Sequence, residues 1–302
     1  MTMTMPMAAQ TLSFELQPPR QPKRAPKFWH TAAELAALQP DFFTITYGAG
    51  GHGRNKTAEV ASGVLAETGI PVVAHLTAVG ATIEGLTALV RQLLAVGVRQ
   101  FLALRGDPPA NLPDWQPGPD EVGSAIELIG LIRRVARDVA TGIGGAGQPT
   151  RIGVATFPDG NHHAGTTPGQ ELARLVAKQA AGADFAITQV LFDADGYLRY
   201  LAAARAAGVT IPIIPGILPI TGFGPLDRAK AMAGVEPPPA LLADLTAETA
   251  AARYHNGIRY TARLASQVIA GGAPGLHFFT FNKAAPTKEV LNLELARNIA
   301  CH

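Results

Sequence analysis

Cysteine is nearly missing from this chain, with one residue, Cys301, in 302. A single thiol excludes an intrachain disulfide framework and a multi-cysteine metal site. Blocks of one charge are missing too. The formal net charge is +2, and the cluster Arg20, Lys23, Arg24 and Lys27 is interrupted by prolines. It reads as a solvated loop, not a nucleic-acid-binding arm. No apolar run approaches the length needed to cross a membrane. Met1 to Gln10 has no basic start followed by an apolar stretch, so it does not read as a secretory signal. A cytoplasmic location, with no nucleic-acid or membrane partner, is expected. No shift in composition marks a domain boundary, so residues 1–302 are expected to form a single domain.

What the chain has is a repeating alternation. Eight short β-rich runs recur: Thr11–Leu16, Phe42–Thr46, Val72–Leu76, Phe101–Leu104, Ile152–Thr156, Phe185–Gln189, Ile213–Ile217 and Leu276–Phe281. Helical patterns fill the gaps over Thr31–Leu38, Lys56–Thr68, Ile83–Val96, Glu121–Val139, Gly169–Ala181, Ala194–Ala206, Pro225–Ala233 and Pro239–Ala270. Strand–helix alternation implies a parallel sheet. Eight such units in a chain of this length predict an α/β fold, a single (β/α)8 TIM barrel.

The stretch QFLALRGDPP, Gln100 to Pro109, is the most informative. A strand with no polar face, buried on both sides, runs into Arg-Gly-Asp-Pro-Pro. Two prolines cannot continue a sheet, and Gly106 lets the backbone approach a ligand. Arg105 and Asp107 then sit at a strand's carboxyl end, where ligands bind in α/β proteins. Alternatively they pair with each other on a surface turn. Gly48 to Gly53 matches G-x-G-x-x-G between a strand and a helix. The next strand ends His75-Leu76-Thr77 without the acid a dinucleotide fingerprint needs, so this loop reads as a glycine-rich rim.

The other strand ends carry Glu15, Thr46, His75, Thr156 with Phe157, Gln189, Leu218-Pro219, and Asn282 with Lys283. Glu15 lies in an otherwise apolar strand. An acid there is paired or kept partly neutral, and a neutral acid can donate a proton. Gln189 can read a heterocycle edge, or merely satisfy backbone groups. His75 alone reads equally as a satisfied interior histidine. His162 and His163 are adjacent, so their side chains diverge, and no metal is expected.

Several stretches together resemble the methylenetetrahydrofolate reductase family. They are Ser13-Phe-Glu-Leu-Gln-Pro-Pro-Arg20, Thr46-Tyr-Gly-Ala-Gly-Gly51, Ala74-His-Leu-Thr77, Leu104-Arg-Gly-Asp-Pro-Pro109, Ile187-Thr-Gln189 with Phe192-Asp193, Pro215-Gly-Ile-Leu-Pro-Ile220 and Leu276-His-Phe-Phe-Thr-Phe-Asn282. They run in family order from residue 13 to residue 283. The resemblance implies a (β/α)8 barrel that reduces 5,10-methylenetetrahydrofolate through FAD, with NADH or NADPH as donor. It implies Glu15 as the acid that protonates the folate and Asp107 as the acid beside flavin and pterin. Gln189, Phe223 and Lys283 would bind substrate. Thr46, His75, Arg105, Gly106, Asp107, Ala155, Phe157, His162 and Lys178 would contact FAD. A homo-oligomer is expected.

The chain also departs from the family pattern. Leu16 and Gln17 replace two aromatics after Glu15. Val122-Gly-Ser-Ala-Ile126 lacks a tyrosine and an acid. Phe157-Pro158 stands for tyrosine-proline. The histidine that follows falls on Asn161 in strict register, or on His162 with a shift of one. Phe279 and Lys283 replace a tyrosine and an arginine. By the resemblance, most of these changes touch the adenine side of FAD or the substrate tail. They motivate a second reading, direct hydride transfer from a nicotinamide without flavin. A third reading is a non-catalytic folate-binding member.

Overall fold

Alternate residues of a strand face opposite ways, so a strand buried on both sides must serve two cores. The computed structural model describes residues 10–19, 21–46, 54–107, 115–142 and 149–300. Gly48–Gly53, Pro108, Pro109 and Cys301 lie outside them. The strands are β1 (Thr11–Leu16), β2 (Phe42–Ile45), β3 (Val72–Thr77), β4 (Gln100–Leu104), β5 (Arg151–Thr156), β6 (Phe185–Val190), β7 (Ile213–Ile217) and β8 (Gly275–Phe279). They form a closed parallel barrel in sequence order, with β8 pairing back onto β1.

One set of strand side chains, including Phe14, Phe43, Ala74, Phe101, Ile152 and Phe278, packs outward into the main core. The other set, Phe42, Val73, Leu102, Phe185, Ile187 and Ile214, forms a separate inner plug. The helices are α1 (Ala25–Ala36), α2 (Arg54–Thr68), α3 (Ile83–Ala95), α4 (Ala125–Gly142), α5 (Pro168–Ala180), α6 (Ala194–Ala206), α7 (Phe223–Ala233), α8 (Pro239–Asp244), α9 (Ala250–Ala270) and α10 (Ala284–Ala300). Caps fix several starts. Thr82 accepts from Gly85 N, and Thr167 and Gln170 form a reciprocal capping box.

The expected (β/α)8 barrel is present, with local differences. The segment Pro239–Ala270 is two helices, parted where Thr249 caps α9 by accepting from Ala252 N. Helix α1 starts at Ala25, six residues before Thr31, with a proline in its first turn, where a missing N–H costs nothing. Helix α4 starts at Ala125, because Glu121 instead bridges to Thr82. Strand β8 ends at Phe279 and not at Phe281, because Phe281 and Asn282 turn left-handed, with φ of 45° and 55°. Helix α10 is additional to the predicted helical stretches.

The β1–β8 seam closes the barrel through registers such as Ser13↔His277 and Glu15↔Phe279. Gly275, at φ 153°, lies so close to the Thr11 backbone that a Cβ there would overlap it. Between β6 and β7 the register slips near Thr188. There the Thr188 hydroxyl accepts from Gly216 N at 2.8 Å, replacing a backbone rung.

Candidate active site

The carboxyl ends of the strands open into a cavity of about 560 Å³, within the range of small-molecule and cofactor sites. Register determines what faces it. Glu15 and His75 lie on the inner faces of β1 and β3 and are 6% and 7% exposed. His277 of β8 lines the same floor. Burial pushes the Glu15 carboxyl up to about 7, partly offset by a hydrogen bond from Gln17 Nε2 to Oε1 at 3.3 Å. It is therefore an acid that still holds its proton near neutrality.

Burial moves the two imidazoles the other way, His75 down to about 4 and His277 to about 3. Both are neutral at pH 7. Ser13 Oγ donates to Leu276 O at 3.3 Å and lies 3.0 Å from His277 Nδ1. A hydroxyl has one proton, so where it goes to Leu276 O the donor of the second contact is His277 Nδ1–H. Among the described residues, His75 Nε2 is buried without a partner. An unpaired buried polar atom beside a cavity is a position a ligand would satisfy.

One wall is cationic. Residues 171, 174 and 178 share one face of α5. Lys178 Nζ donates to Ala155 O at 2.8 Å. Burial pulls Lys178 down to about 8, Glu171 opposes this, and Arg174 and Arg105 add to it. Glu171 is buried, accepts from Thr166 Oγ1 at 2.6 Å, and pairs with Arg174 at 2.7 Å. The Arg105 guanidinium donates from Nε to Gly106 O at 3.2 Å. Among the described residues it forms no ion pair with Asp107, so the two do not neutralise each other. Gly106 has φ 85°, and a Cβ there would overlap Thr77 Cγ2. Only glycine brings the backbone this close.

Gln189 resolves its two readings by splitting its amide. Its Oε1 accepts from Val190 N at 2.8 Å, while Nε2 has no partner among the described residues. One half satisfies the bulge, and the residue lines the cavity.

The cavity thus gathers Glu15, His75, Arg105, Gly106, Asp107, Ala155, Phe157, Lys178 and Gln189. Four predicted residues do not line it. Thr46 follows β2, beside residues outside the description, with its N–H on Leu16 O at 3.1 Å. Phe223 opens α7 and is half exposed, and Lys283 is exposed after β8. His162 lies against Gly234, and Asn161 lines the cavity in its place. Of the two registers for that position, the unshifted one reaches the site.

Sequence reasoning missed Glu171, Arg174 and His277. The signals were there. Two of them lie seven and four residues before Lys178 on the same helix face, and His277 lies two residues before Phe279 on the inner face of its strand. The Val122–Ile126 stretch also lines the cavity through Gly123, Ser124 and Ile126. There Ser124 Oγ caps α4 by accepting from Glu127 N at 3.1 Å.

A closed parallel barrel with a protonated acid, two neutral imidazoles and a cationic wall at its strand ends has the layout of a (β/α)8-barrel enzyme. The family profile described as methylenetetrahydrofolate reductase matches residues 2–294, and the chain belongs to that family. It is 32% identical over 276 residues to 5,10-methylenetetrahydrofolate reductase of Salmonella typhimurium, covering 90% of this chain and 86% of that one. It is 30% identical over 277 residues to methylenetetrahydrofolate reductase (NADH) 1 of Arabidopsis thaliana, covering 89% of this chain and 46% of that one. Among solved structures, an uncharacterized Clostridium thermocellum protein, described as binding two copies of 5-methyl-5,6,7,8-tetrahydrofolic acid, superposes with TM-score 0.67. That match covers 97% of each chain at 13% identity, and it shows the shared fold.

Proposed function

We propose that the chain is a flavin-dependent oxidoreductase acting as a single catalytic domain. It converts 5,10-methylenetetrahydrofolate to 5-methyltetrahydrofolate with NADH or NADPH in a ping-pong sequence. The observation that carries this reading is Glu15, a buried carboxyl holding its proton to about 7 in the cavity of a family member. The plant relative's name, which specifies NADH, supports a nicotinamide donor.

The cavity fits a flavin dinucleotide on two counts. His75 Nε2 is a buried atom with no partner among the described residues, and Arg105, Arg174 and Lys178 form a cationic wall suited to a diphosphate. Gly106, Ala155, Phe157 and Asn161 would complete the holding set, with Thr46 and His162 outside the cavity wall. Bound there, FAD would carry hydride from the nicotinamide to the folate.

The chain's own residues supply the rest. Glu15 delivers the proton that opens the folate's five-membered ring. Asp107 places negative charge beside the resulting cation. Gln189 Nε2 donates to the pterin. Phe223 and Lys283, at the rim, meet the substrate's outer part.

The purified protein should be yellow, and NADH should bleach its visible flavin bands anaerobically. A colourless protein that still reduces methylenetetrahydrofolate would establish direct hydride transfer instead. Asp107→Asn should slow folate reduction and raise the flavin reduction potential, because one negative charge is removed from beside both. A reductive titration with an unshifted potential, together with normal turnover, would reduce Asp107 to a turn former.

A further inference from the structure

The two residues after Glu15 are where the chain leaves its family pattern, and the structure gives one of them a task. Strand β1 continues past the point where β8 stops. Beyond Phe279 no backbone rung remains for Gln17, and side chains take over. Thr280 Oγ1 donates to Glu15 O at 2.6 Å. Asn282 Oδ1 accepts from Gln17 N at 2.9 Å, and Asn282 Nδ2 donates to Gln17 O at 2.7 Å. The Asn282 amide thus stands in for a peptide group and extends the ladder by one rung. Bringing it there requires Phe281 and Asn282 to be left-handed, a conformation asparagine tolerates and phenylalanine rarely adopts. Backbone strain of this kind collects at functional sites. The Arg228 guanidinium, 5.0 Å from the Phe281 ring centroid, packs over the strained turn.

With both its peptide groups gripped, Gln17 has its side chain on the same strand face as Glu15. Its Nε2 donates to Glu15 Oε1 at 3.3 Å. Of the two oxygens of a protonated carboxyl, the carbonyl oxygen is the stronger acceptor for an N–H, so this contact favours the proton on the other oxygen. We propose that Gln17, locked by Asn282, is the positioning residue that directs the transferable proton of Glu15 to Oε2. The inference rests on the reading of Glu15 as the proton donor. The same N–H also stabilises the carboxylate left after transfer, so Gln17 acts on both sides of the step. Its pull is toward the ionised form, opposite to that of burial. The other titratable and charged groups on this cavity are His75 and His277 from the strands, Arg105 and Asp107 after β4, and Glu171, Arg174 and Lys178 of α5. Thr44, the β2 partner of Glu15, is uncharged.

The test is the pH profile of kcat for methylenetetrahydrofolate reduction by NADH. An acid that must be protonated gives a rate that falls as pH rises through its ionisation. Gln17→Leu removes the donor, so the alkaline limb should move up by about one pH unit. At pH 7, kcat should fall about tenfold while KM holds, because an interaction of the transition state is lost. Gln17→Glu, which keeps the length and reverses the polarity, should move the limb further the same way. Asn282→Gly keeps the left-handed backbone but deletes both rungs, and it should move the limb in the same direction. Its shift should not add to that of Gln17→Leu in the double variant, since both act through one contact.

An unmoved limb in both Gln17 variants overturns the proposal, as does an additive double variant. Glu15→Gln separates the two levels. If it retains reduction and the limb, the donor reading itself fails. If it abolishes reduction while the Gln17 variants keep the wild-type limb, only the positioning role fails.

Discussion

Glu15→Gln is expected to cut methylenetetrahydrofolate reduction by about 10²–10⁴-fold, the usual cost of losing a general acid, while making the folded protein more stable above pH 7. Both effects come from one burial. The carboxyl is 6% exposed, and desolvation lifts it from the ordinary carboxylate range to about 7. Ionising it in the fold therefore costs about 3 kcal/mol more than in the unfolded chain. Below the ordinary carboxylate range both states are protonated and the fold bears no penalty. The penalty grows as pH rises toward 7 and is complete above it. Glutamine keeps the shape and the partner Gln17 but never ionises, so the variant escapes the penalty at pH 8 and keeps its wild-type stability at pH 4. Paired thermal melts at the two pH values, with folate turnover measured alongside, check this. A variant that loses turnover without gaining Tm at pH 8 would mean that Glu15 is solvated in the working enzyme. A variant that keeps turnover would end the proton-donor role.

Gly275→Ala is expected to lower stability by more than about 3 kcal/mol, beyond the range of ordinary substitutions. The residue opens β8 at φ 153°, where an L side chain is strained, and its Cβ would collide with the Thr11 backbone. A backbone neighbour cannot swing aside as a side chain can. It is also held in the seam, with Thr11 N on Pro274 O at 2.9 Å. Relief requires β8 to slide or part from β1. For a chain of this size the loss corresponds to a fall in Tm of about 5 °C. Folate reduction should fall with it at temperatures where the wild type is intact, because Glu15, His277 and Ser13 lie on the same two strands. An unchanged melting temperature would show that the seam can widen at no cost.

The eight strands were readable because each presents two apolar faces over few residues, bounded by glycine, proline or charge. The helix ends were harder to read. Pro26 and the basic residues beside it look like loop, yet a proline in the first turn of α1 removes an N–H that has no helical partner in any case. Pro286 hid the start of α10 in the same way. The truncation of β8 depends on a left-handed pair at Phe281 and Asn282 that no local propensity announces for phenylalanine. At the site, Glu15 stood out as a lone acid in an apolar strand, a placement that left it either paired or partly neutral. Gln17 looked like a mere departure from pattern, because its role depends on an asparagine 265 residues away. The choice between Asn161 and His162 was open because one residue of register decides which side chain meets the cavity and which meets Gly234.

The seam between the first and last strands has a consequence for the timing of synthesis. The contacts that dress the acid, Ser13 with His277, the Glu15 carbonyl with Thr280, and Gln17 with Asn282, join residues 264 or 265 positions apart. A ribosome emits the amino-terminal acid first and its setting last. Closing so long a loop is among the slow events of folding. Until the final strand docks, Glu15 is open to water and ionises like any surface carboxylate. A nascent or prematurely terminated chain therefore has the acid but not its retained proton. Reductase chemistry becomes available only once the whole ring has been made.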